Sequence, residues 1–308
     1  LVVDARGMAG SVSALVKGFR DFDPEVPFGG VFLNRVRSPR HFSLLQKCIE
    51  RDTGLPVLGF LPDNPEFTIP ERNLGLVSAG EAKDSEQISR IGEAVSARID
   101  GERLVQIASE IKPLSEGASD KKVLTRIGIG LDQVFHFYYR SSLEYFQEEG
   151  VEFVPFSPLE DKDLPSGISG IYLGGGFPEA FVSELSGNRR IQERIRDSVF
   201  QGMPVYAECG GLMYLSRGIE VEDKFFPMAK VFDFTVGMTS YPKHFGYAEA
   251  EVYKENLIAR KGTILRGHEF HYSQILDENG ETTYRVRKPG GKEYWRCGFM
   301  RENVLATY

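Results

Sequence analysis

The sequence has few cysteines, no long hydrophobic run and no block of one charge sign, and each lack excludes a class of protein. Cys48, Cys209 and Cys297 are odd in number and far apart, without the C-x-x-C spacing of a zinc site or redox pair. No apolar stretch approaches the roughly 20 residues that span a bilayer, and the first residues do not resemble a signal peptide. The net charge of -7 is spread along the chain, so the basic surface of a nucleic-acid-binding protein is missing. We therefore expect a protein of the reducing cytoplasm that binds small molecules, with no nucleic acid and no membrane as partners.

At 308 residues, with 41% apolar and 26% charged residues, the chain is long enough for two globular domains. Strands and helices alternate at the start, where Ser38 is a natural N-cap for a helix over about Pro39 to Asp52 that Gly54 ends. This alternation predicts a mostly parallel sheet with helices on its faces. After a polar interruption, the alternation resumes with a strand over Thr125 to Gly130.

These changes of pattern give the expected domain boundaries. We predict one domain over residues 1–98, a linker over residues 99–122 and a second domain over residues 123–308. In the second domain, Ser141 and Glu144 have the spacing of a capping box, and from Tyr247 onward the pattern changes to β segments. Both ends of the chain read as strands that continue beyond the sequence, which predicts truncation on both sides.

The stretch from Met203 to Ser216, MPVYAECGGLMYLS, runs from a buried strand through Cys209 and two glycines into an apolar helical start. A sharp strand-to-helix turn leaves little room for side chains, so glycines are required there. The free N–H groups of a helix N-terminus carry about half a positive charge and favour a thiolate. The pattern therefore predicts that Cys209 attacks a carbonyl carbon. For Cys48 and Cys297 we expect structural roles.

The second chemical motif is Leu173 to Glu179, LGGGFPE, in which a strand leads into three glycines. Such a loop leaves backbone amides free to bind an oxyanion, and acyl transfer needs two donors. We predict that Gly210 supplies one donor and that Gly175 or Gly176 supplies the other. Taken alone, a buried cysteine is more often an inert core residue and a triple glycine is more often a plain loop. Their occurrence in consecutive βα units favours the catalytic interpretation.

A cysteine amidase also needs a general base, and the chain has five histidines. The segment Arg266 to Ser273, RGHEFHYS, reads as a strand. Alternation puts His268 on one face and Glu269 with His271 on the other, so the two histidines cannot share one role. His271 is the better candidate for the base, with a structural or substrate-contacting role equally open.

Three motifs in this order, LGGGFPE, AECGGLMYLS and GHEFHYS, resemble the glutaminase domain of the cobyrinic acid a,c-diamide synthase family. The segments Phe135 to Tyr139 (FHFYY) and Phe156 to Pro165 (FSPLEDKDLP) extend the resemblance. The earlier segments Asp4 to Phe19, Gly29 to Val36 and Ile69 to Val77 resemble the latter half of that family's ATP-dependent synthetase domain. The resemblance covers almost the whole chain. It implies an α/β fold in which a partial P-loop-type synthetase domain precedes a class I, triad-type glutamine amidotransferase domain.

The resemblance also implies roles for single residues. The family's nucleophile corresponds to Cys209, whereas its catalytic histidine follows a Thr-Tyr pair by a residue or two, and this sequence stops at Thr307 and Tyr308. We therefore expect the base beyond the last residue. His271 and Glu269 are then expected in the glutamine pocket or an interdomain pocket.

For the first domain, the resemblance implies ATP and Mg²⁺ as cofactors. The sequence contains no G-x-x-x-x-G-K-[ST] motif, so we expect the chain to begin after the phosphate-binding loop. Asn34 at the end of a buried strand is placed to read the adenine, with capping of the following turn as the alternative. Glu71 and Arg72 are candidates for closing over the nucleotide or the substrate, with a surface ion pair as the alternative. No residue is assigned as a metal ligand.

The activity implied by the resemblance is ATP- and glutamine-dependent amidation of the a and c carboxylates of cobyrinic acid, a corrin, with ammonia released from glutamine at Cys209. One alternative is an a,c-diamide synthase that acts on Ni-sirohydrochlorin, a related tetrapyrrole. Another is a non-catalytic fragment that binds nucleotide or has a regulatory role. A cysteine hydrolase or peptidase is disfavoured because it leaves the first domain without a purpose. The sequence leaves the oligomeric state open, with a homodimer as one option.

Overall fold

The computed structural model describes residues 1–69, 85–110, 122–277 and 280–308. The chain forms two compact units, Leu1–Gly117 and Ala118–Tyr308. Within the segment predicted as a linker, Gly101–Ser109 is helical, and residues 111–121 lie outside the described residues. The candidates Glu71 and Arg72 also lie outside them.

The first unit is built on parallel strands connected through helices, as its alternating pattern predicts. Its described strands are β1 (Val2–Asp4), β2 (Val31–Val36) and β3 (Val57–Pro62), and they pair in the order β1-β2-β3. Its described helices are α1 (Ser11–Phe22), α2 (Pro39–Thr53), α3 (Ser85–Ser96) and α4 (Gly101–Ser109). The fully buried side chains of Val12, Leu33 and Ile49 show how α1 and α2 cover this sheet. Burial of such side chains contributes about 1.5–3 kcal/mol each.

Helix α2 has the predicted end signals. The hydroxyl of Ser38 accepts a hydrogen bond from the His41 amide at 3.2 Å, and Pro39 occupies the first turn. At the other end, Gly54 has φ 71° and donates its N–H to the Glu50 carbonyl at 3.0 Å. A side chain at Gly54 would be strained in this left-handed conformation. Both predicted caps are confirmed.

The second unit continues the alternation up to the nucleophile motif. Its elements are β4 (Thr125–Gly130), β5 (Phe135–Phe137), α5 (Arg140–Glu148), β6 (Val151–Phe156), β7 (Gly170–Leu173), β8 (Gly175–Gly176), α6 (Val182–Gly187), α7 (Arg189–Phe200), β9 (Val205–Glu208) and α8 (Gly210–Leu215). Pro178–Phe181 forms a 3₁₀ turn before α6. The predicted strand over Thr125 to Gly130 is confirmed to the residue.

A β-rich segment follows, as the change of pattern predicts, and it starts earlier than Tyr247. Its strands are β10 (Gly218–Val221), β11 (Lys224–Pro227), β12 (Thr235–Val252), β13 (Ile264–Ile275), β14 (Glu281–Arg287), β15 (Tyr294–Arg301) and β16 (Val304–Thr307). The large sheet has the order β11-β10-β12-β14-β15-β16-β9-β7-β4-β6, and β13 pairs with β12. Strand β16 lies parallel to β9, so the end of the chain runs beside the strand that leads to Cys209.

The core of the second unit fixes β7, β9 and β16 against the helices. Its buried members include Leu173 of β7, Ala207 of β9 and Ala306 of β16, together with Ile195 of α7 and Leu212 of α8. The opposite face of β9 carries Tyr206, which packs with a second cluster around Tyr284 and Leu305. Because β9 packs on both faces, the position of the residue that follows it is tightly determined. None of the helices in the described residues is long and apolar enough to cross a membrane.

The predicted capping box of α5 is wrong. The helix begins at Arg140, with Tyr139 at the N-cap position and no side-chain capping hydrogen bond. Glu144 instead accepts a hydrogen bond from Arg140 at 2.7 Å. Since the helix starts one residue before Ser141, that hydroxyl lies inside the first turn, where it cannot cap the free amides.

The two serines give a matched test of capping. We expect Ser38→Ala to lower the free energy of unfolding by about 1 kcal/mol, because it removes the acceptor of the His41 amide. Ser141→Ala should change it by less than about 0.5 kcal/mol, since this serine is exposed and does not cap. Urea unfolding followed by far-UV circular dichroism measures both. A loss for Ser141→Ala as large as that for Ser38→Ala would contradict the assignment of the caps.

Candidate active site

Cys209 occupies a strained turn between β9 and α8. Its backbone has φ 48° and ψ -103°, a region that residues other than glycine rarely adopt. The N–H of Cys209 donates to the Thr307 carbonyl at 2.8 Å, and its carbonyl accepts from the Met213 amide at 3.1 Å. Such strain costs about 1–3 kcal/mol and persists only where the surroundings enforce it. The predicted strand-to-helix turn is confirmed, and it presents the sulfur at the carboxyl end of β9.

The glycines of the two motifs lie against each other at this turn. A Cβ atom built on Gly175 would lie 3.6 Å from the Cβ atom of Cys209, and one built on Gly210 would lie 3.0 Å from the Gly176 nitrogen. A Cβ atom on Gly176 would lie only 1.6 Å from the Val134 carbonyl oxygen. The structure therefore brings Gly175, Gly176 and Gly210 together beside the sulfur-bearing residue, in an arrangement that admits no side chain at Gly176.

The expectation that the helix N-terminus favours a thiolate at Cys209 is wrong. Burial, followed by the negative charge of Glu179, raises the pKa of Cys209 to about 12. The Gly210 amide acts in the opposite direction, and Glu208 and Glu269 add to the rise. Helix α8 has only six residues, so few aligned peptide dipoles oppose these effects. At neutral pH the sulfur is therefore a thiol that must lose its proton before it can attack.

His271 and Glu269 share the buried face of β13, as the alternation predicts, whereas His268 is exposed. The His271 ring stacks on Tyr308 with 3.8 Å between ring centroids. Its Nδ1 atom is 2.9 Å from the Ser273 carbonyl oxygen, and its Nε2 atom is 3.5 Å from the Glu269 carboxylate. Since a carbonyl oxygen can only accept, Nδ1 carries a proton and donates it there.

Among the described residues, hydrogen bonds connect this cluster to Cys209 through the end of β16. The hydroxyl of Ser273 donates to the Tyr308 hydroxyl at 2.9 Å, and the preceding residue, Thr307, accepts the Cys209 amide. His271 Nε2 has no hydrogen-bond partner, so it makes no bond to the sulfur. On the far side, Trp295 donates its indole N–H to Glu269 at 2.9 Å. The described hydrogen bonds thus place His271 and Glu269 near the end of β16 and include none between His271 and the sulfur of Cys209.

Three residues of this region were not predicted from the sequence as site residues. Glu208 precedes the nucleophile, and its carboxylate accepts hydrogen bonds from the hydroxyls of Tyr172 and Tyr206 at 3.1 and 2.6 Å. Glu179 affects the pKa of the thiol, and Tyr138 contacts the glycine loop. Apart from the bond between Tyr206 and Glu208 on β9, these contacts join segments that are distant in sequence, so spacing could not reveal them.

The other two cysteines are consistent with structural roles. Cys297 is buried, and its sulfur lies 3.3 Å from the Thr307 hydroxyl and 3.4 Å from the Tyr308 amide. Cys48 is partly exposed on α2. All three cysteines have free thiols.

In the first unit, Asn34 lies within β2 beside Asp4 of β1. Its side-chain oxygen accepts the Arg35 amide at 2.9 Å, and because β2 continues to Val36, Asn34 does not lie at the strand end where the sequence placed it. Arg35 has φ 56° and pairs with Asp4 through its guanidinium group. This ion pair holds the pKa of Asp4 below its usual value. Among the described residues of this unit, the amide nitrogen of Asn34 has no partner and stays available to an acceptor atom.

The raised pKa of the thiol gives a test. We expect the rate at which iodoacetamide alkylates Cys209 to rise about tenfold per pH unit through the alkaline range, because only the thiolate reacts. Glu179→Gln removes a negative charge that disfavours the thiolate, so at pH 8 it should speed alkylation by roughly three- to tenfold. Peptide mass spectrometry of the Cys209 peptide measures the rate.

Glu184→Gln, an exposed glutamate of the neighbouring helix α6, is the matched control and should leave the rate unchanged. Equal rates for the wild-type protein and Glu179→Gln would contradict the assigned role of this charge.

Models of two known domain families match the two parts of the chain. Residues 126–308 match the model of the CobB/CobQ-like glutamine amidotransferase domain, and residues 3–77 match that of the CobQ/CobB/MinD/ParA nucleotide binding domain. The chain is 44% identical to the cobyrinate a,c-diamide synthase of Caldanaerobacter subterraneus subsp. tengcongensis, across 100% of this chain and 69% of that protein. It is 40% identical to the cobyrinate a,c-diamide synthase of Listeria innocua, across 100% of this chain and 70% of that protein. A solved glutamine amidotransferase covers 59% of this chain and 87% of its own length at 18% identity, with a TM-score of 0.42. The chain belongs to the cobyrinate a,c-diamide synthase family.

Proposed function

We propose that this chain takes ammonia from glutamine at Cys209 and uses it to amidate the a and c carboxylates of cobyrinic acid. The observation that carries the glutaminase step is the strained turn at Cys209, packed against the glycines of β8. The family membership and the names of the relatives support the acceptor, and they favour a corrin over a nickel tetrapyrrole. The three free thiols support a reducing cytoplasm as the location.

The glutaminase step is acyl transfer to sulfur. Cys209 attacks the carboxamide carbon of glutamine, and the carbonyl oxygen becomes an oxyanion that the Gly210 amide and the amide of Gly175 or Gly176 bind. The amide nitrogen takes up the proton that the thiol lost, and collapse of this intermediate expels it as ammonia and leaves a γ-glutamyl thioester. Water then attacks the thioester through a second oxyanion, which releases glutamate and restores the thiol.

The proton of the thiol determines what else the site needs. With a pKa near 12, Cys209 must transfer its proton to a base as it attacks. Nδ1 of His271 donates to a backbone carbonyl, and its Nε2 faces Glu269, so this ring does not contact the sulfur. We therefore assign His271 and Glu269 to the wall of the glutamine pocket and not to proton transfer.

We assign activation of the acceptor carboxylate to the first unit. ATP, when bound, supplies the phosphoryl group that turns a carboxylate into an acyl phosphate, and ammonia displaces that phosphate to give the amide. The match to a nucleotide binding domain supports this assignment. The amide nitrogen of Asn34, which has no partner among the described residues, lies in the second half of the parallel strand β2 and fits an acceptor atom of the adenine. The described residues hold no group of three or more His, Cys, Asp or Glu side chains that fits a metal ion, so we assign no residue to Mg²⁺.

The nucleophile can be tested by covalent labelling with a glutamine-mimicking diazoketone. We expect the wild-type chain to gain one label, on Cys209, and Cys209→Ala to gain none. Cys48→Ala is the matched control and should label like the wild type, because this partly exposed cysteine lies in the other unit. Intact mass and peptide mapping read the result. Labelling of Cys209→Ala at the wild-type rate, or labelling of the wild type at another residue, would refute the assignment.

The glycine loop can be tested by adding a single methyl group. We expect Gly176→Ala to lower kcat for glutamine hydrolysis by about 10²–10³-fold, because the new Cβ atom would clash with the Val134 carbonyl and displace an oxyanion donor. Gly187→Ala is the matched control, since no heavy atom lies within 4 Å of its added Cβ atom. Its kcat should stay within about twofold of the wild-type value. The proposed oxyanion site is wrong if the two variants have the same kcat.

A further inference from the structure

Tyr138, just after β5, forms a bridge that the proposed mechanism does not yet use. Its hydroxyl group hydrogen-bonds the Gly130 carbonyl at the end of β4. The same hydroxyl lies 2.8 Å from the Gly174 nitrogen, which donates its N–H to it. Because a carbonyl can only accept and an amide N–H can only donate, the hydroxyl must donate to Gly130 and accept from Gly174. A phenylalanine ring could make neither bond.

Gly174 also makes a hydrogen bond to the turn that carries Cys209. Its carbonyl oxygen accepts the Gly211 amide at 3.1 Å, and Gly211 lies two residues after Cys209. A continuous line of hydrogen bonds thus runs from Gly130 through Tyr138 and Gly174 to Gly211. It joins the end of β4, the glycine loop and the start of α8, of which the last two lie beside Cys209.

The ring of Tyr138 is held as firmly as its hydroxyl. A Cβ atom built on Gly174 would lie 2.5 Å from the ring, so the ring packs directly on the loop backbone. The edge of the Tyr172 ring contacts it, with 5.0 Å between centroids. Burial raises the pKa of Tyr138 well above its ordinary value, so the hydroxyl keeps its proton at any pH suited to an assay.

We infer that Tyr138 is a positioning residue of the glutaminase site, whose hydroxyl holds the backbone of Gly174 to Gly176 where its amides can bind the oxyanion. The inference rests on the proposed roles of Cys209 and the glycine loop. An oxyanion donor acts only at a hydrogen-bond distance from the developing charge. A displacement of about 1 Å can cost on the order of 10²-fold in rate. Loss of the bridge should therefore slow the chemistry and leave glutamine binding nearly intact.

The test compares Tyr138→Phe with Tyr253→Phe in the full chain. Tyr253 is a matched control, since its hydroxyl is also half-buried and donates to a backbone carbonyl, that of Thr282, at 2.6 Å. We expect Tyr138→Phe to lower kcat for glutamine hydrolysis by about 10–100-fold with KM within about threefold. Tyr253→Phe should keep both constants within about twofold of the wild type, even if its melting temperature falls as far as that of Tyr138→Phe.

Two alkylating reagents separate positioning from general loosening of the site. The diazomethyl carbon of the diazoketone takes the thiol proton and the sulfur then displaces N₂ from it, with the ketone oxygen at the oxyanion donors. Iodoacetamide reacts by displacement of iodide and does not need those donors. Tyr138→Phe should therefore label about tenfold more slowly with the diazoketone and at the wild-type rate with iodoacetamide. Wild-type kinetics in Tyr138→Phe, or an equal loss with both reagents, would overturn the inference and leave the proposed function standing. A wild-type chain that neither hydrolyses glutamine nor reacts with the diazoketone would overturn both.

If Tyr138→Phe does not fold, hydrogen exchange of the wild-type protein tests the bridge. In the wild-type protein the Gly174 amide should exchange at least about 10²-fold more slowly than an unstructured amide, because the Tyr138 hydroxyl holds it. A Gly174 amide that exchanges as fast as one in an exposed loop would contradict the bridge.

Discussion

The close approach of two backbone segments at Cys209 is the constraint on which the rest of the second unit depends. The turn after β9 and the loop after β7 touch without intervening side chains. A Cβ atom on Gly211 would lie 2.4 Å from the Leu173 carbonyl oxygen, and one on Gly176 would meet the Val134 carbonyl. The positive φ of Cys209 belongs to the same constraint, because its amide must reach Thr307 on the neighbouring strand β16. The parallel packing of β16, β9 and β7 supplies the force that keeps this strained turn in place.

The same packing creates the electrostatic character of the site. Enclosure of the sulfur raises the pKa of Cys209, and the carboxylates of Glu179, Glu208 and Glu269 act in the same direction. The Tyr172 and Tyr206 hydroxyls donate to the Glu208 carboxylate and hold it next to Cys209 in the chain. A site of this kind keeps the cysteine protonated at rest and ties its reactivity to proton removal during the attack. In the proposed mechanism, uncharged backbone amides stabilise the oxyanion without adding a competing positive charge.

Local signals were readable from the sequence wherever they depend on neighbours in the chain. The cap at Ser38, the left-handed end at Gly54 and the strand before Cys209 depend on residues within a few positions, and the structure has each of them. The capping box at Ser141 fails because the helix starts one residue earlier, a choice that spacing alone does not determine. The lowered pKa expected for Cys209 fails for a different reason. Burial and the charge of Glu179 come from the tertiary fold, and they outweigh the short helix α8.

The sequence by itself determined the α/β architecture, the family, and the tight turn at Cys209 with the glycines that surround it, because periodicity and steric demands are encoded in adjacent residues. It also placed Glu269 and His271 on one face of a strand, since side chains alternate along any extended backbone. Only the tertiary structure decided that His271 stacks on Tyr308 with Nε2 facing Glu269, and that Tyr138 bridges Gly130 and Gly174. Those contacts depend on which strands become neighbours in the sheet. That order is set by packing across the whole unit and not by any local stretch of residues.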